Sequence, residues 1–299
     1  MGLTLAETIK DITQKHLTEG GGYLLGQCVT AVGWIGGTVP DVKGIIEIPM
    51  TDVAAPGFAV GCALVGKRPI FVVRYQGFMY YNCSSIINYA ARSKQVWGVP
   101  CPVFLRSIGM EGNGVGHTAS SCLHTMFMHV PGLPVAAPIT PGEYRQVWDW
   151  YMKHDDPIYV SEHRKSYGIT EEMEDQYEEG AKITILAISA SRMNALEAGK
   201  ALRAKGIKHN LYHIRWLKPF EPTEKLLESL KNTKVGLVID SDFELAGASQ
   251  AFAYELMHKT GAKVYALGLE DRVCGVAPHC ENITPNASRI AKKVEEILT

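Results

Sequence analysis

Short apolar runs alternate with longer segments in which apolar residues recur every three or four positions along the first half of the chain. The short runs are typical of strands buried on both faces of a parallel sheet, and the longer segments are typical of helices that cover such a sheet. The pattern therefore predicts an α/β fold. The predicted strands are residues 23–26, 45–48, 70–73, 103–106, 134–137 and 158–161, and the predicted helices include 80–96 and 141–154.

A second alternating unit follows an acidic segment that is poor in apolar residues, which we interpret as a linker over residues 169–181. This divides the chain into a first domain of residues 1–168 and a second of residues 182–299. The predicted strands of the second domain are 183–188, 211–214, 235–240 and 264–267, and its predicted helices are 192–204, 223–230, 246–258 and 286–298.

The stretch from Pro49 to Phe78 predicts a loop, a helix over residues 53–65, a tight turn and a buried strand. Thr51 or Asp52 is suited to cap that helix, because either side chain can accept a hydrogen bond from an unpaired N–H of the first turn. Small and apolar residues fill the helix, so we expect it to be buried against a partner, with its glycines allowing close approach of another backbone. One carboxylate, that of Asp52, is then expected at the mouth of a buried helix.

Composition narrows the class of protein. The chain has 299 residues, a formal charge of −1 and 46% hydrophobic residues, which gives no indication of a nucleic-acid or membrane partner. Seven cysteines are scattered without a CxxC pair, which predicts reduced thiols and no metal site. We find no signal-peptide pattern and no apolar run long enough to span a bilayer, and we therefore expect a cytoplasmic protein.

A series of short motifs, in order and with similar spacing, resembles the beta subunit of thiamine-diphosphate-dependent 2-oxoacid (pyruvate-type) dehydrogenases, within the transketolase-like superfamily. The resemblance covers nearly the whole chain. It implies a parallel-sheet pyrimidine-binding domain followed by a transketolase C-terminal-like α/β domain. The motifs are residues 48–52 (IPMTD), 57–61 (GFAVG), 66–70 (GKRPI), 77–78 (GF), 102–106 (PVFLR), 129–133 (HVPGL) and 156–158 (DPI).

The resemblance implies thiamine diphosphate as cofactor, with Met50, Asp52, Gly77 and Phe78 beside it. Asp52 takes the position of a glutamate whose carboxylate meets N1′ of the aminopyrimidine, and Phe78 takes the position of an aromatic residue that packs on that ring. Aspartate is shorter than glutamate by one methylene, about 1.5 Å. This difference is large, because catalytic groups must be held within about 0.5 Å of their productive positions. The backbone then lies closer, a water bridges the gap, or activation is weaker. Without the resemblance, Asp52 would be interpreted as a helix cap.

The resemblance implies that the diphosphate and Mg²⁺ are held by a Gly-Asp-Gly segment with a downstream asparagine, which agrees with the preference of Mg²⁺ for oxygen ligands next to phosphate. The chain contains no Gly-Asp-Gly. The resemblance therefore implies that thiamine diphosphate and Mg²⁺ are shared with, or held by, an alpha-type partner subunit in an α2β2 assembly. A lipoyl acyltransferase is a further candidate partner.

The glycine-rich loop of residues 109–121 departs from the family pattern, because the position of the family's active-site histidine falls on Ala119. His117 is a candidate substrate-handling acid or base, with a plain loop histidine as the alternative. Gln27 and Cys28 replace a commonly acidic pair. Three residues near Phe78 are candidates for the substrate pocket, although a surface ion pair is an alternative fate for the arginine: Arg74, Tyr75 and Tyr81.

These observations predict a beta-type subunit of an enzyme that decarboxylates a 2-oxo acid and transfers the resulting acyl unit, active only with its alpha-type partner. A split transketolase-like or carboligating enzyme is the alternative, because it would use the same cofactor carbanion on a different carbonyl compound. A non-catalytic assembly subunit is the second alternative.

Overall fold

The computed structural model describes residues 2–31, 35–112, 116 and 122–299. The chain forms two compact units that divide between Glu172 and Met173, and the second unit also includes Glu111 and Gly112. Both are built on parallel sheets with helices against them, so the predicted α/β fold is confirmed.

Parallel strands form the sheet of the first unit. They are β1 (Leu24–Gly26), β2 (Ile45–Glu47), β3 (Ile70–Val73), β4 (Phe104–Gly109), β5 (Val135–Ala136) and β6 (Ile158–His163). Within this unit they hydrogen bond in the order β2-β1-β3-β4-β6-β5. Every residue of β3, β4 and β6 is buried, which explains the apolar runs with which these strands begin.

The helices of the first unit are α1 (Leu5–Thr18), α2 (Ala55–Leu64), α3 (Met79–Asn82), α4 (Ala91–Trp97), α5 (His124–Met128) and α6 (Pro141–Lys153). The predicted continuous helix over 80–96 is wrong, because a π-helical turn, Ile86–Ala90, lies between α3 and α4. Serines at 84 and 85 followed by two β-branched isoleucines are weak helix formers, which accounts for the interruption.

The start of α2 also corrects the sequence prediction. Its N-cap is Ala54, which has no side-chain cap, and the Thr51 carbonyl accepts from the N–H groups of Ala54 and Ala55 at 2.8 and 2.7 Å. Neither Thr51 nor Asp52 caps the helix. Pro56 lies in the first turn, where its missing N–H and fixed φ suit the start of a helix.

Only one side of α2 is buried in this chain. Ala59 and Ala63 are buried, whereas Phe58 and Val65 are 63% and 78% exposed. Apart from the backbone of α2 itself and the two neighbouring residues, no described atom lies within 4 Å of the point where a side chain on Gly61 would begin. Among the described residues, Gly61 therefore meets no closely approaching backbone of this chain, and burial of the exposed side of α2 against a partner stays a prediction.

A buried ion pair joins the two central strands β4 and β6. Arg106 donates from Nε and Nη2 to the two carboxylate oxygens of Glu162, at 2.6 and 2.9 Å, and both side chains are buried. The hydroxyls of Tyr144 and Tyr167 donate to the same carboxylate at 2.8 and 2.6 Å. Arg106 also donates to Thr38 Oγ1 at 2.8 Å.

Ionisation of this cluster is fixed by its surroundings. Burial by itself lowers the pKa of Arg106, but the Glu162 carboxylate more than reverses this and raises that pKa well above its ordinary value. Burial and the Glu162 charge both raise the pKa of Tyr144 and of Tyr167. The arginine therefore stays charged, and both tyrosines stay neutral donors.

The second unit contains β7 (Ile183–Ile188), β8 (His209–Ile214), β9 (Trp216–Lys218), β10 (Val235–Phe243) and β11 (Lys263–Leu269), with helices α7 (Ser191–Ala204), α8 (Glu224–Thr233), α9 (Ala248–Thr260) and α10 (Ala287–Leu298). Four of these strands form a parallel sheet in the order β11-β10-β7-β8. Gln176, inside the segment interpreted as a linker, pairs with Leu211 of β8. No strand was predicted over the residues of β9.

The described helices and the cysteines can be compared with the predictions about membranes and thiols. Among the helices that the structure describes, none is long and apolar enough to cross a membrane. All seven cysteines carry free thiols. A capping box begins α1, since Thr4 and Glu7 exchange hydrogen bonds between side chain and backbone.

His16 is expected to make the stability of the chain pH-dependent. Its side chain on α1 is buried, and Nε2 lies 2.6 Å from the Arg68 carbonyl, to which the neutral ring donates. Burial lowers the pKa of His16, the hydrogen bond to the Arg68 carbonyl opposes this shift, and the Arg68 charge adds to it. The unfolded chain binds the proton near the ordinary pKa of about 6.5, so the free energy of unfolding falls as the pH drops below that value.

Replacement of His16 by glutamine, which can still donate to the carbonyl, is expected to remove this part of the pH dependence. Urea unfolding of both chains at about pH 7.5 and about pH 5 measures it. The same change at His258, an exposed residue of α9, is the control. Equal pH dependence in the His16→Gln chain and in the original would contradict the assignment.

Candidate active site

Asp52 lies in the turn between β2 and α2, and two amide side chains hold its carboxylate. Gln27, directly after β1, donates from Nε2 to Asp52 Oδ1 at 3.2 Å, and Asn82, at the end of α3, donates from Nδ2 to the same oxygen at 2.8 Å. Gln27 and Asn82 are 8% and 3% exposed. Asp52 is therefore a side chain held by neighbouring elements and not a helix cap.

Phe78 and Gly77 lie in a 3₁₀ turn, Gln76–Phe78, that follows the carboxyl end of β3. The Phe78 carbonyl accepts a second hydrogen bond from Asn82 Nδ2, at 2.9 Å. Gly77 is buried and the Phe78 ring is half-buried. One amide group thus connects the Asp52 carboxylate to the backbone of the aromatic residue.

Arg74 and Tyr75 gather around the Phe78 ring. The Arg74 guanidinium carbon lies 5.4 Å from the centre of the Phe78 ring and 5.7 Å from that of Tyr75, within the range of a cation–π contact. The rings of Tyr75 and Phe78 meet edge to face with centroids 5.8 Å apart. Arg74 Nη1 also lies 3.1 Å from the Cys28 sulfur. The structure therefore places two of the predicted pocket residues at Phe78.

A cavity of about 350 Å³, open to solvent, has Asp52 in its wall. The other described residues that line it are Thr51, Val53, Ala54 and Tyr81. Tyr81 is the third predicted pocket residue, and it is 58% exposed, while Met50 is 70% exposed. A cavity of about 490 Å³ between α1 and α6 is larger, but it contains none of the predicted site residues.

The loop after β1 is held by a carboxylate that sequence reasoning missed. Glu47 accepts from the backbone N–H of Cys28 and from the N–H and hydroxyl of Thr30, at 2.9 and 2.8 Å for the threonine. Burial raises the pKa of Glu47, but these hydrogen bonds outweigh it and lower that pKa overall. Cys28 has a left-handed φ of 56°. The loop presents Gln27 to Asp52 and Cys28 to Arg74.

The predicted acid or base His117 and the neighbouring Ala119 lie outside the described residues. After that loop, His124 is fully buried, with Nδ1 3.1 Å from the Ser161 hydroxyl. Gln76 donates to the same hydroxyl at 2.8 Å and accepts from the Leu123 N–H at 2.6 Å. His124 is thus a packed residue of this network.

Two family models match the chain in succession. The model of the transketolase pyrimidine-binding domain covers residues 34–170, and that of the transketolase C-terminal domain covers residues 172–290. Among curated proteins, the beta subunit of acetoin:2,6-dichlorophenolindophenol oxidoreductase from Cupriavidus necator is 28% identical over 70% of this chain and 68% of its own length. The beta subunit of the pyruvate dehydrogenase E1 component from Rickettsia felis is 26% identical over 72% and 70%.

The chain belongs to the beta-subunit family of thiamine-diphosphate-dependent 2-oxoacid dehydrogenases. A mitochondrial member from Dictyostelium discoideum, named as a pyruvate dehydrogenase E1 beta subunit, matches 84% of the chain at 25% identity. The family agrees with the resemblance stated from the sequence motifs. It makes the first unit of this beta subunit a pyrimidine-binding domain and the second a transketolase C-terminal domain.

Solved structures show the same fold for this beta subunit. A split-gene transketolase, described as an inactive beta4 tetramer, superposes with a TM-score of 0.77 at 18% identity, over 100% of this chain and 99% of that one. Transketolase from Campylobacter jejuni superposes with a TM-score of 0.75 at 15% identity, over 99% of this chain and 47% of that one. At these identities the likeness shows the fold alone.

The residues of this beta subunit fit the pyrimidine half of thiamine diphosphate. Both amide donors end on Asp52 Oδ1, so neither occupies Oδ2, which keeps its lone pairs for a ligand. The half-buried Phe78 ring supplies an aromatic surface joined to that carboxylate through Asn82. In the part of the chain that the structure describes, no group of three or more His, Cys, Asp or Glu side chains could hold a metal ion.

Proposed function

We propose that this chain is the beta-type subunit of a two-subunit thiamine-diphosphate enzyme that decarboxylates a 2-oxo acid and transfers the resulting acyl unit. The observation that carries the proposal is the Asp52 carboxylate, held by two amides beside Phe78 in a pyrimidine-binding domain. The names of the curated relatives, beta subunits of pyruvate dehydrogenase and of an acetoin oxidoreductase, support the choice of a 2-oxo acid or acyloin substrate.

When bound, thiamine diphosphate supplies a nucleophilic C2 carbon that attacks a carbonyl group. In this chain Asp52 would hold a proton at N1′ of the aminopyrimidine through Oδ2, which favours the tautomer whose 4′-nitrogen can take the C2 proton. The Phe78 ring would pack on the pyrimidine. Met50 and Gly77 complete the proposed cofactor contacts.

Substrate handling is proposed for the residues that the sequence indicated as candidates for the pocket and for acid–base chemistry. Arg74 would bind a substrate carboxylate, because a guanidinium group matches that shape with two parallel hydrogen bonds. Tyr75 and Tyr81 would line the pocket. His117 would act as an acid or base in place of the histidine that the family has at the position of Ala119.

We propose that the diphosphate and Mg²⁺ are held by an alpha-type subunit in an α2β2 assembly. The chain has no Gly-Asp-Gly segment, and the cavity beside Asp52 is open to solvent. A lipoyl acyltransferase is the proposed acceptor of the acyl unit. The scattered free thiols favour a reducing, cytoplasmic location.

This partner dependence predicts a binding result. The chain alone is expected to bind thiamine diphosphate with Mg²⁺ only weakly, because it lacks groups that anchor the phosphates. Co-expressed with its alpha-type partner, it is expected to bind the cofactor tightly and to give the mass of two chains of each kind. Titration calorimetry and light scattering measure the two properties, and tight binding by this chain alone would contradict the shared site.

A split transketolase-like or carboligating enzyme is the second candidate. The shorter Asp52 and the alanine at 119, each in place of a family side chain, favour it. Release of CO₂ from 2-oxo acids by the assembled complex supports decarboxylation, whereas ketol transfer from ketose donors without CO₂ supports the second candidate. If the assembled complex binds no thiamine diphosphate, the second alternative, a non-catalytic assembly subunit, is the interpretation that remains.

A further inference from the structure

We propose that Asn82 is a positioning residue that fixes the Asp52 carboxylate and the Phe78 backbone in one arrangement, and that it sets the side-chain length accepted at position 52. This inference rests on the function proposed for Asp52. Asn82 Nδ2 carries two hydrogens, and it has two acceptors within hydrogen-bond distance, Asp52 Oδ1 at 2.8 Å and the Phe78 carbonyl at 2.9 Å.

The helical turn explains how one amide reaches both groups. Asn82 follows Phe78 by four positions, and residues at this spacing lie on the same side of a helix. The side chain is 3% exposed, so a rotation that gave up either acceptor would leave a buried amide hydrogen without a partner. The amide therefore holds a single orientation, and the carboxylate and the carbonyl are fixed relative to each other.

The same hydrogen bonds select which carboxylate oxygen is available. Asn82 and Gln27 both donate to Oδ1, and an ionised carboxylate oxygen accepts about two hydrogen bonds. Oδ1 is then saturated, and Oδ2 is the oxygen left for the aminopyrimidine. Loss of the Asn82 amide would release the closer of the two contacts, after which the Asp52 side chain can rotate between staggered positions.

The Asn82 amide also limits the length of residue 52. A glutamate would carry its carboxylate about 1.5 Å further from the backbone than an aspartate, that is, by the length of one added bond. An amide nitrogen already lies 2.8 Å from Asp52 Oδ1, so the longer side chain would displace it. A small residue at position 82 would free this space.

The test uses single and double variants in the complex assembled with the alpha-type subunit. Asn82→Ala is expected to slow exchange of the C2 proton by about 10- to 100-fold, since misplacement by about 1 Å can cost about 100-fold. The cofactor dissociation constant, measured by calorimetry, is expected to change much less. Asp52→Glu alone is expected to be slow, and Asp52→Glu with Asn82→Ala is expected to recover most of the rate.

A second readout does not depend on the loaded enzyme. A crystal structure of the Asn82→Ala chain without cofactor is expected to show the Asp52 side chain in another rotamer or in several. Tyr151→Phe, on α6, is the matched control. It removes a buried hydroxyl that lies 3.3 and 3.2 Å from the carbonyl oxygens of Pro69 and Pro102. This control is expected to lose stability but to keep the exchange rate.

The outcomes separate this inference from the proposed function. The positioning role would be overturned if Asn82→Ala exchanged the C2 proton at the wild-type rate, or if Asp52 had not moved in the crystal structure of that variant. Slow exchange in Asp52→Asn would still uphold the proposed function in either case. Wild-type exchange in Asp52→Asn would overturn both. If Asn82→Ala does not fold, Asn82→Ser takes its place, because a hydroxyl is too short to reach both acceptors.

Discussion

Asp52→Asn is expected to slow exchange of the C2 proton in the assembled complex by about 10²- to 10⁴-fold, the usual contribution of a general acid or base. An amide has nearly the shape of the carboxylate, so its oxygen can still accept from Gln27 and Asn82. The negative charge that would hold a proton at N1′ is lost. The rate is measured by NMR, as replacement of the C2 proton by deuterium.

Folding and cofactor affinity should change little in this variant, because Asp52 does not cap α2. Circular dichroism and calorimetry check both properties. Asp41→Asn, at an exposed position of the first unit, is the control and should exchange at the original rate. An unchanged rate in Asp52→Asn would mean that its carboxylate serves only to order Gln27 and Asn82.

Glu162→Gln is expected to lower the free energy of unfolding by about 3–5 kcal/mol, the usual effect of removing one partner of a buried ion pair. The glutamine would fill the same space but leave the Arg106 guanidinium charged and buried. Two tyrosine hydroxyls would also lose a charged acceptor. Urea unfolding followed by circular dichroism measures the change.

Asp11→Asn is a matched control for that experiment. Asp11 pairs with Lys15 at 2.8 Å on the surface of α1, where both side chains are largely in water. Exposed pairs of this kind contribute at most about 1 kcal/mol, so the control should be close to the original chain. If both substitutions lowered the free energy of unfolding equally, the buried Arg106–Glu162 pair would contribute no more to stability than an exposed pair.

The strands could be predicted from the sequence because the central ones begin with short apolar runs. β3 begins and ends where predicted. β4 and β6 extend beyond their predicted ends, to Gly109 and His163, and the polar and glycine residues in these extensions are the reason that the pattern predicted earlier ends. The ion pair of Arg106 and Glu162 explains how charged residues continue two buried strands, and no local pattern indicates that pairing over 56 positions.

The site could be predicted only in part. Family motifs led to Asp52 and Phe78, but the residues that hold Asp52 lie 25 and 30 positions away in the chain. The sequence marks Gln27 only as a replacement for an acidic residue, and no motif singles out Asn82. Its spacing of four from Phe78 was the one local signal available. Pro56 was a better guide to the start of α2 than the polar residues before it.

Gly61 has space for a larger side chain, and it therefore shows that this helix has not been selected for the stability of the single chain alone. Glycine inside a helix is less favourable than alanine by about 1 kcal/mol, mainly because it loses more backbone freedom on folding. Nothing among the described residues lies close enough to exclude a methyl group there. A chain selected for the stability of its own fold alone would therefore gain from alanine at this position, and the glycine makes the single chain less stable than its fold allows.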